Sequence, residues 1–133
     1  MSGAVLDSYA LLAFLRGEDG ERMVLELLEK AGDRDQPLHM TEVNYAEVKY
    51  ITLRKDGLRR WAEVASHLPA LPLEFHPATR SLADAAADFK SRFKMSLADA
   101  FAAALAKELK TDLVTGDPEF KALEKELKIR WVS

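Results

Sequence analysis

The sequence of 133 residues predicts an α/β protein with three layers, in which a central parallel sheet lies between two layers of helices. Short apolar segments alternate along the chain with longer segments of helical periodicity. The apolar segments, such as Ala4-Val5-Leu6, show little polar alternation, which is typical of strands covered on both faces. Because we find no repeat, low-complexity segment or linker, we expect a single domain over residues 1–133.

In the first half of the chain, cap and turn residues separate the predicted elements. Gly32 is expected to end the second helix, because glycine suits the left-handed conformation common at helix C-termini. Thr41 is a typical N-cap residue for the third helix, and Gly57 divides that helix from the fourth. The predicted elements are a strand at 4–6, helices at 9–15 and 21–31, a strand at 38–40, and helices at 41–55 and 58–67.

In the second half, prolines and an alanine-rich segment guide the assignment. Pro77 and Pro118 each suit the first turn of a helix, where the missing N–H donor costs nothing. The alanine-rich helix is expected to approach the sheet closely, with Leu97 and Phe101 among its packing residues. The predicted elements are a strand at 71–76, helices at 77–90 and 96–110, a strand at 112–115, a helix at 118–127 and a strand at 129–132.

Composition excludes several classes of protein. The chain has no cysteine, so a disulfide framework and a thiolate metal site are both impossible. No apolar run approaches the roughly 20 residues that span a bilayer, and we see no signal peptide. We therefore expect a cytoplasmic protein without a membrane partner. The formal net charge of −3 does not exclude nucleic acid, because local charge distribution matters more than the sum.

Five polar residues are placed by this pattern at the carboxyl edge of the sheet, where open parallel sheets bind ligands. Asp7 directly follows the first strand, and Asp117 follows the strand at 112–115. Asn44 and Glu47 lie three residues apart on one helical face, and Asp99 lies in the first turn of the alanine-rich helix. We therefore expect their side chains to converge.

Each residue also has an ordinary structural explanation. Asp7 and Asp117 could be helix N-caps, and Ser96 with Asp99 matches a capping box. Glu47 could be a solvated helix charge. These explanations do not account for the convergence, because two carboxylates about 5 Å apart repel by roughly 3 kcal/mol at an effective dielectric of about 20. A divalent cation relieves that repulsion, and an all-oxygen donor set favours Mg²⁺ or Mn²⁺ over zinc.

The four segments that contain these residues resemble the motifs of PIN-domain nucleases. Their order and spacing, together with the chain length, are most similar to the VapC-type toxins of prokaryotic toxin–antitoxin pairs. The segments are Val5-Leu6-Asp7-Ser8, Asn44-x-x-Glu47, Ser96-Leu97-Ala98-Asp99-Ala100 and Thr115-Gly116-Asp117-Pro118-Glu119-Phe120.

The resemblance implies a PIN-like domain with the activity of a metal-dependent endoribonuclease. It assigns the metal and catalytic roles to Asp7, Glu47, Asp99 and Asp117, with Ser8, Asn44 and Thr115 in supporting positions. It further implies an RNA substrate, a homodimer and a cognate antitoxin protein that holds the enzyme inactive. Two alternatives stay open: a PIN-like module that binds RNA or protein without cutting, and a phosphatase with an aspartate nucleophile. The phosphatase pattern requires a second aspartate at the position that Tyr9 occupies.

Substrate binding and the histidines complete the expectations. One basic segment spans 49–60 near three aromatic residues, and a second comprises Lys90, Arg92 and Lys94 with Phe93. Either could bind RNA phosphates and stack on bases, or could be a solvated face with its aromatic residues in the core. His39 is expected to be structural, and His67 and His76 are expected to lack a partner at metal-ligand spacing.

Overall fold

A computed structural model describes residues 3–133 and contains a five-stranded parallel sheet. The strand order is β3-β2-β1-β4-β5, so β1 lies at the centre with the chain winding away from it on both sides. The pairs β1–β2, β1–β4, β2–β3 and β4–β5 are all parallel. The strands are β1 (Val5–Leu6), β2 (Leu38–Thr41), β3 (Leu73–His76), β4 (Leu113–Thr115) and β5 (Ile129–Trp131).

Within the described part of the chain, six α-helices cover the two faces of the sheet. Adjacent residues of β1 point to opposite faces: Leu6 packs in an apolar cluster with α1–α4, whereas Val5 packs with α5 and α6. This arrangement confirms the predicted three-layer α/β/α fold. The helices are α1 (Ser8–Arg16), α2 (Glu21–Asp33), α3 (Glu42–Asp56), α4 (Leu58–His67), α5 (Arg80–Arg92) and α6 (Leu97–Leu109), with 3₁₀ turns at Leu68–Ala70 and Pro118–Leu123.

Two predicted helix starts are confirmed by their capping hydrogen bonds. The Thr41 hydroxyl accepts a hydrogen bond from the backbone N–H of Asn44 at 3.0 Å, which begins α3. The Ser96 hydroxyl accepts one from the N–H of Asp99 at 3.1 Å, which begins α6. Both caps satisfy N–H groups that would otherwise lack a partner within the helix. They also fix the first turns of the two helices that carry predicted site residues.

Two other helix boundaries differ from the prediction. Gly32 lies inside α2, which ends at Asp33, so it does not terminate the helix. Pro77 precedes α5, because the hydroxyl of Thr79 accepts the N–H of Leu82 at 3.1 Å and sets the helix start at Arg80. In both places a local cap or continued packing outweighs the conformational preference of a single residue.

The predicted helix at 118–127 and the packing of Leu97 also need correction. Only Pro118–Leu123 is helical, and it is a 3₁₀ segment that Asp117 caps through the N–H of Glu119 at 2.9 Å. Leu97 was expected to pack against the sheet, but it is 54% exposed at the start of α6.

Within residues 3–133, none of the helices combines the length and apolarity that crossing a membrane requires.

Candidate active site

The side chain of Asp7 is fully buried directly after the central strand β1. It caps α1: one carboxylate oxygen accepts the N–H of Ala10 at 2.8 Å, and the other accepts the hydroxyl of Thr115 at 2.5 Å. Burial raises the pKa of Asp7 to about 8, although the two hydrogen bonds act in the opposite direction. The negative charges of Asp99 and Asp117 raise this pKa further, so the three carboxylates share one electrostatic environment.

Asp99, Asp117 and Glu119 form the tightest acidic group at this edge. One carboxylate oxygen from each lies within 4.8 Å of the others. Burial raises the pKa of Asp99 to about 6, and the negative charges of Asp117, Glu47 and Glu119 raise it further, against the hydrogen bond from Ser96. The structure therefore brings together the acids of the first, third and fourth motifs and places Glu47 within electrostatic range of them.

The buried amide of Asn44 links the helices that carry the acids. Its Nδ2 donates to the hydroxyl of Ser8 at 3.0 Å and to the carbonyl of Ala98 at 3.1 Å. Its Oδ1 accepts from the hydroxyl of Thr41 at 2.5 Å. These bonds join α1, α3 and α6 next to Asp7, Glu47 and Asp99, respectively. The Asn44 amide therefore stabilises the packing of these helices around the site.

The loop after β4 is held close to α1. The N–H of Asp117 donates to the Thr115 hydroxyl at 3.0 Å, so a single hydroxyl group contacts both Asp7 and Asp117. A Cβ atom on Gly116 would lie 2.2 Å from the ring of Tyr9, so a larger residue at this position would require the Tyr9 side chain to move. The glycine thus allows the loop that carries Asp117 to pack closely against Tyr9 on α1.

Sequence reasoning missed one acid of this group. Glu119 lies in the quoted fourth motif but was not assigned a role. The signal was its position two residues after Asp117, in a turn that Asp117 itself caps. An acid two residues after an N-cap lies close to the side chain of the cap residue when the turn is tight, as it is in this 3₁₀ segment.

The donor set at this edge fits a hard divalent cation. Every titratable group that contributes to the shared electrostatics is a carboxylate, and two of them have strongly raised pKa values. A cation would remove the mutual repulsion and favour the charged forms of Asp7 and Asp99. Oxygen ligands in this number suit Mg²⁺, Mn²⁺ or Ca²⁺ more than metals that prefer nitrogen or sulfur.

The basic segments differ in how much of them faces solvent. In the first, Trp61 is buried and Tyr45 packs edge-on against it at 5.8 Å, so both rings belong to the core, whereas Tyr50 is 47% exposed. In the second, Arg92 pairs with Asp88 and Glu126, and the Lys90 ammonium donates to the Met95 carbonyl at 2.8 Å.

A parallel three-layer fold with acidic side chains gathered at the carboxyl edge of its central strands defines the general class of this protein. The model of the PIN domain family matches residues 4–126, and the chain belongs to that family. The predicted resemblance is thereby confirmed. No curated protein matches the chain in sequence at a significant level.

Several solved structures share the fold over nearly the entire chain. A toxin–antitoxin complex from Klebsiella pneumoniae is 16% identical, with 98% of each chain covered and a TM-score of 0.70. The DNA-bound VapBC from Salmonella typhimurium is 14% identical, with 100% of each chain covered and a TM-score of 0.77. VapC20 from Mycobacterium tuberculosis, a sarcin–ricin loop cleaving toxin, is 16% identical, with 91% of this chain and 95% of that one covered and a TM-score of 0.71.

Proposed function

We propose that this protein is a metal-dependent endoribonuclease and the toxin of a toxin–antitoxin pair. The observation that carries the proposal is the meeting of Asp7, Asp99 and Asp117, with Glu47 nearby, at the carboxyl edge beside the central strand. Membership of the PIN family supports a hydrolase that acts on RNA. The similar fold of an RNA-cleaving toxin is consistent with that substrate.

The four predicted acids would have different roles according to their exposure to solvent. Asp7 is buried with its carboxylate hydrogen-bonded, and Asp99 is buried in the first turn of α6 that Ser96 caps, so they would fix the position of Mg²⁺ or Mn²⁺. Glu47 and Asp117 are partly exposed, so they would complete the site and face the substrate. Glu119, which is exposed beside Asp99 and Asp117, is added to the site by the structure.

Hydrolysis of a phosphodiester is slow because the negative phosphate repels the nucleophile. A bound Mg²⁺ or Mn²⁺ ion supplies positive charge that offsets this repulsion and lowers the pKa of an attacking water. Ser8, Asn44 and Thr115 would hold the acids in place, because their side chains are buried and hydrogen-bonded beside them. Attack by water would leave a 5′-phosphate and a 3′-hydroxyl, without use of the 2′-hydroxyl as nucleophile.

RNA would be held by exposed basic residues at a distance from the acids, because α3 starts at the acidic edge and its 15 residues extend about 22 Å away from it. The exposed residues Arg54, Lys55 and Arg59 lie at the end of α3 and the start of α4, and exposed Tyr50 offers a ring for base stacking. Arg92 is already paired with two acids, so its segment is the weaker candidate. We assign RNA contact to the first segment.

A protein partner is the last part of the proposal. Two of the similar structures are toxin–antitoxin complexes, described as such or as VapBC. By analogy we propose that a cognate antitoxin inhibits this chain, that the chain forms a homodimer and that it acts in the cytoplasm. Co-purification with the product of a neighbouring reading frame would test the inhibitor directly.

An RNA cleavage assay tests the central activity. Purified protein is incubated with structured and single-stranded RNA in Mn²⁺ or Mg²⁺, and in parallel with EDTA. We expect endonucleolytic products with 5′-phosphate ends that EDTA abolishes and that Asp99→Asn loses. Asp84→Asn, an exposed acid on α5, is the matched control and should cleave normally. Binding without cleavage under every metal condition would refute the nuclease and favour a non-catalytic module.

A further inference from the structure

A second group of metal-binding side chains lies at the β3 edge of the sheet. His39 Nδ1 and His76 Nε2 are 2.9 Å apart, and His76 Nε2 lies 3.8 Å from the Glu74 carboxylate. One ligand atom from each of the three residues lies within 4.8 Å of the others. The sequence-based expectation that His76 has no partner at ligand spacing is therefore wrong, because strand pairing brings it to His39.

The register of two parallel strands creates this group. His39 on β2 pairs with Glu74 on β3, and Thr41 pairs with His76. The residues between them, Met40 and Phe75, turn to the opposite face and pack in the cluster with α1–α4. His39, Glu74 and His76 thus project together from the other face, which α6 covers over β1, β2 and β4.

The geometry matches an imidazole-based site. In tetrahedral zinc sites with Zn–N distances near 2.0–2.1 Å, two ligating nitrogens lie about 3.3 Å apart. The 2.9 Å separation of the two histidine nitrogens reaches this value with a shift of a few tenths of an ångström. The Glu74 side chain is 56% exposed, so it is free to rotate toward the histidines, and water would supply a fourth ligand.

The surroundings of the histidine rings also favour metal binding. Burial and the proximity of His76 lower the pKa of His39, although the Glu74 carboxylate acts in the opposite direction, and the lowered pKa favours the neutral imidazole that a metal ligand requires. His39 Nδ1 faces His76, and a Cβ added at Gly3 would lie 3.0 Å from Nε2, the other nitrogen of the ring. The alternative role of the pair is a hydrogen bond between the two rings, which would not bind Zn²⁺.

We propose that His39, Glu74 and His76 form a zinc-type site, separate from the carboxylate site of the nuclease. Nitrogen donors favour borderline transition metals, whereas the all-oxygen group favours harder cations. A bound ion would link β2 to the edge strand β3 and stabilise their pairing. The inference does not depend on the proposed nuclease function.

Zinc titration of the untagged full-length protein tests the site. Calorimetry is performed in excess Mg²⁺, so that the carboxylate edge is occupied by a competing ion. We expect one saturable Zn²⁺ site and a rise in melting temperature of several degrees. His39→Gln and His76→Gln should each weaken binding at least about tenfold, since loss of even an outer partner of a metal ligand costs that much.

Two controls locate the site. His67→Gln removes the third histidine of the sequence, whose Nδ1 lies 2.8 Å from the Glu63 carbonyl, and should bind Zn²⁺ normally. Asp99→Asn should also bind Zn²⁺ normally. Glu74→Gln changes an exposed side chain and should also weaken binding at least about tenfold without affecting folding. Absence of saturable binding, or equal affinity in wild type and folded His76→Gln, would overturn the proposal and leave only the hydrogen bond.

Discussion

The hydroxyl of Thr115 donates a 2.5 Å hydrogen bond to the buried carboxylate of Asp7, joining the ends of two neighbouring parallel strands. The same hydroxyl accepts the backbone N–H of Asp117 at 3.0 Å. Thr115 therefore positions two of the four predicted metal ligands. Its hydrogen bond also lowers the pKa of Asp7 against the much larger effect of burial.

Replacing Thr115 by valine should raise the pH at which the nuclease becomes active. The substitution preserves shape and removes the hydrogen bond that favours the charged form of Asp7, so the acidic limb of the pH–rate profile should move up by about one pH unit. Thr115→Ser retains the hydroxyl and should restore the wild-type profile. A uniform loss of rate at every pH would show that Thr115 acts by packing alone.

The metal-free protein should become less stable as pH rises. The pKa of Asp7 is about 8 in the folded chain against an ordinary value of 3.8, so the folded state binds more protons. Its contribution to the free energy of unfolding is complete below pH 4 and falls progressively as pH rises toward and through 8. Urea unfolding in EDTA at several pH values measures this dependence.

Asp7→Asn removes that titrating group and keeps the size of the side chain. In EDTA the variant should lose most of the pH dependence and be at least as stable as wild type at pH 8. Its RNA cleavage should fall at least about a hundredfold, the scale of losing one preorganised electrostatic group in an active site. Wild-type cleavage by this variant would mean that Asp7 is only a helix cap.

Replacing Asn44 by alanine should destabilise the fold by about 2 kcal/mol. The change leaves the Ser8 hydroxyl and the Ala98 carbonyl without their buried partner. Denaturant unfolding in EDTA measures the loss without a contribution from metal binding. Ser66→Ala, which removes a hydroxyl bonded to the Glu63 carbonyl on the surface, should change stability by less than about 0.5 kcal/mol. Equal losses of stability in the two variants would show that the hydrogen bonds of Asn44 do not stabilise the site.

Glu119→Gln should weaken metal binding while leaving the fold unchanged. Glu119 is exposed, and its charge raises the pKa of Asp99. Without that charge, the Mg²⁺ concentration for half-maximal activity should rise several-fold, because the site attracts the cation less strongly. Glu108→Gln, an exposed acid in the last turn of α6, is the control. An unaltered Mg²⁺ requirement would place Glu119 outside the site.

Much of the fold could be predicted because local signals agreed with the sheet pattern. The caps at Thr41 and Ser96 and the break at Gly57 set helix boundaries close to those observed. The parallel sheet was predicted from the alternation of apolar and helical segments. Asp7 and Asp117 directly follow β1 and β4, so the sheet places them at one edge, whereas Asp99 lies in the first turn of α6, which follows α5 rather than a strand.

The features that were missed depend on pairing between distant segments. The approach of His39 to His76 is set by the register of β2 and β3, which no local pattern specifies. The Asn44 amide donates a hydrogen bond to the Ala98 carbonyl, which lies 54 residues away in the sequence. Gly32 led to a predicted end of α2 that is too early in the sequence. A helix packed on its neighbours tolerates an interior glycine at a cost of about 1 kcal/mol.

Anomalous diffraction from a crystal soaked in Mn²⁺ tests whether Asp7, Glu47, Asp99 and Asp117 hold a divalent cation at the carboxyl edge. We expect a manganese peak within about 2.5 Å of carboxylate oxygens of Asp99 and at least one other of these acids, absent in Asp99→Asn crystals. Manganese found only elsewhere, in a protein that still cleaves RNA, would show that these acids do not form the metal site.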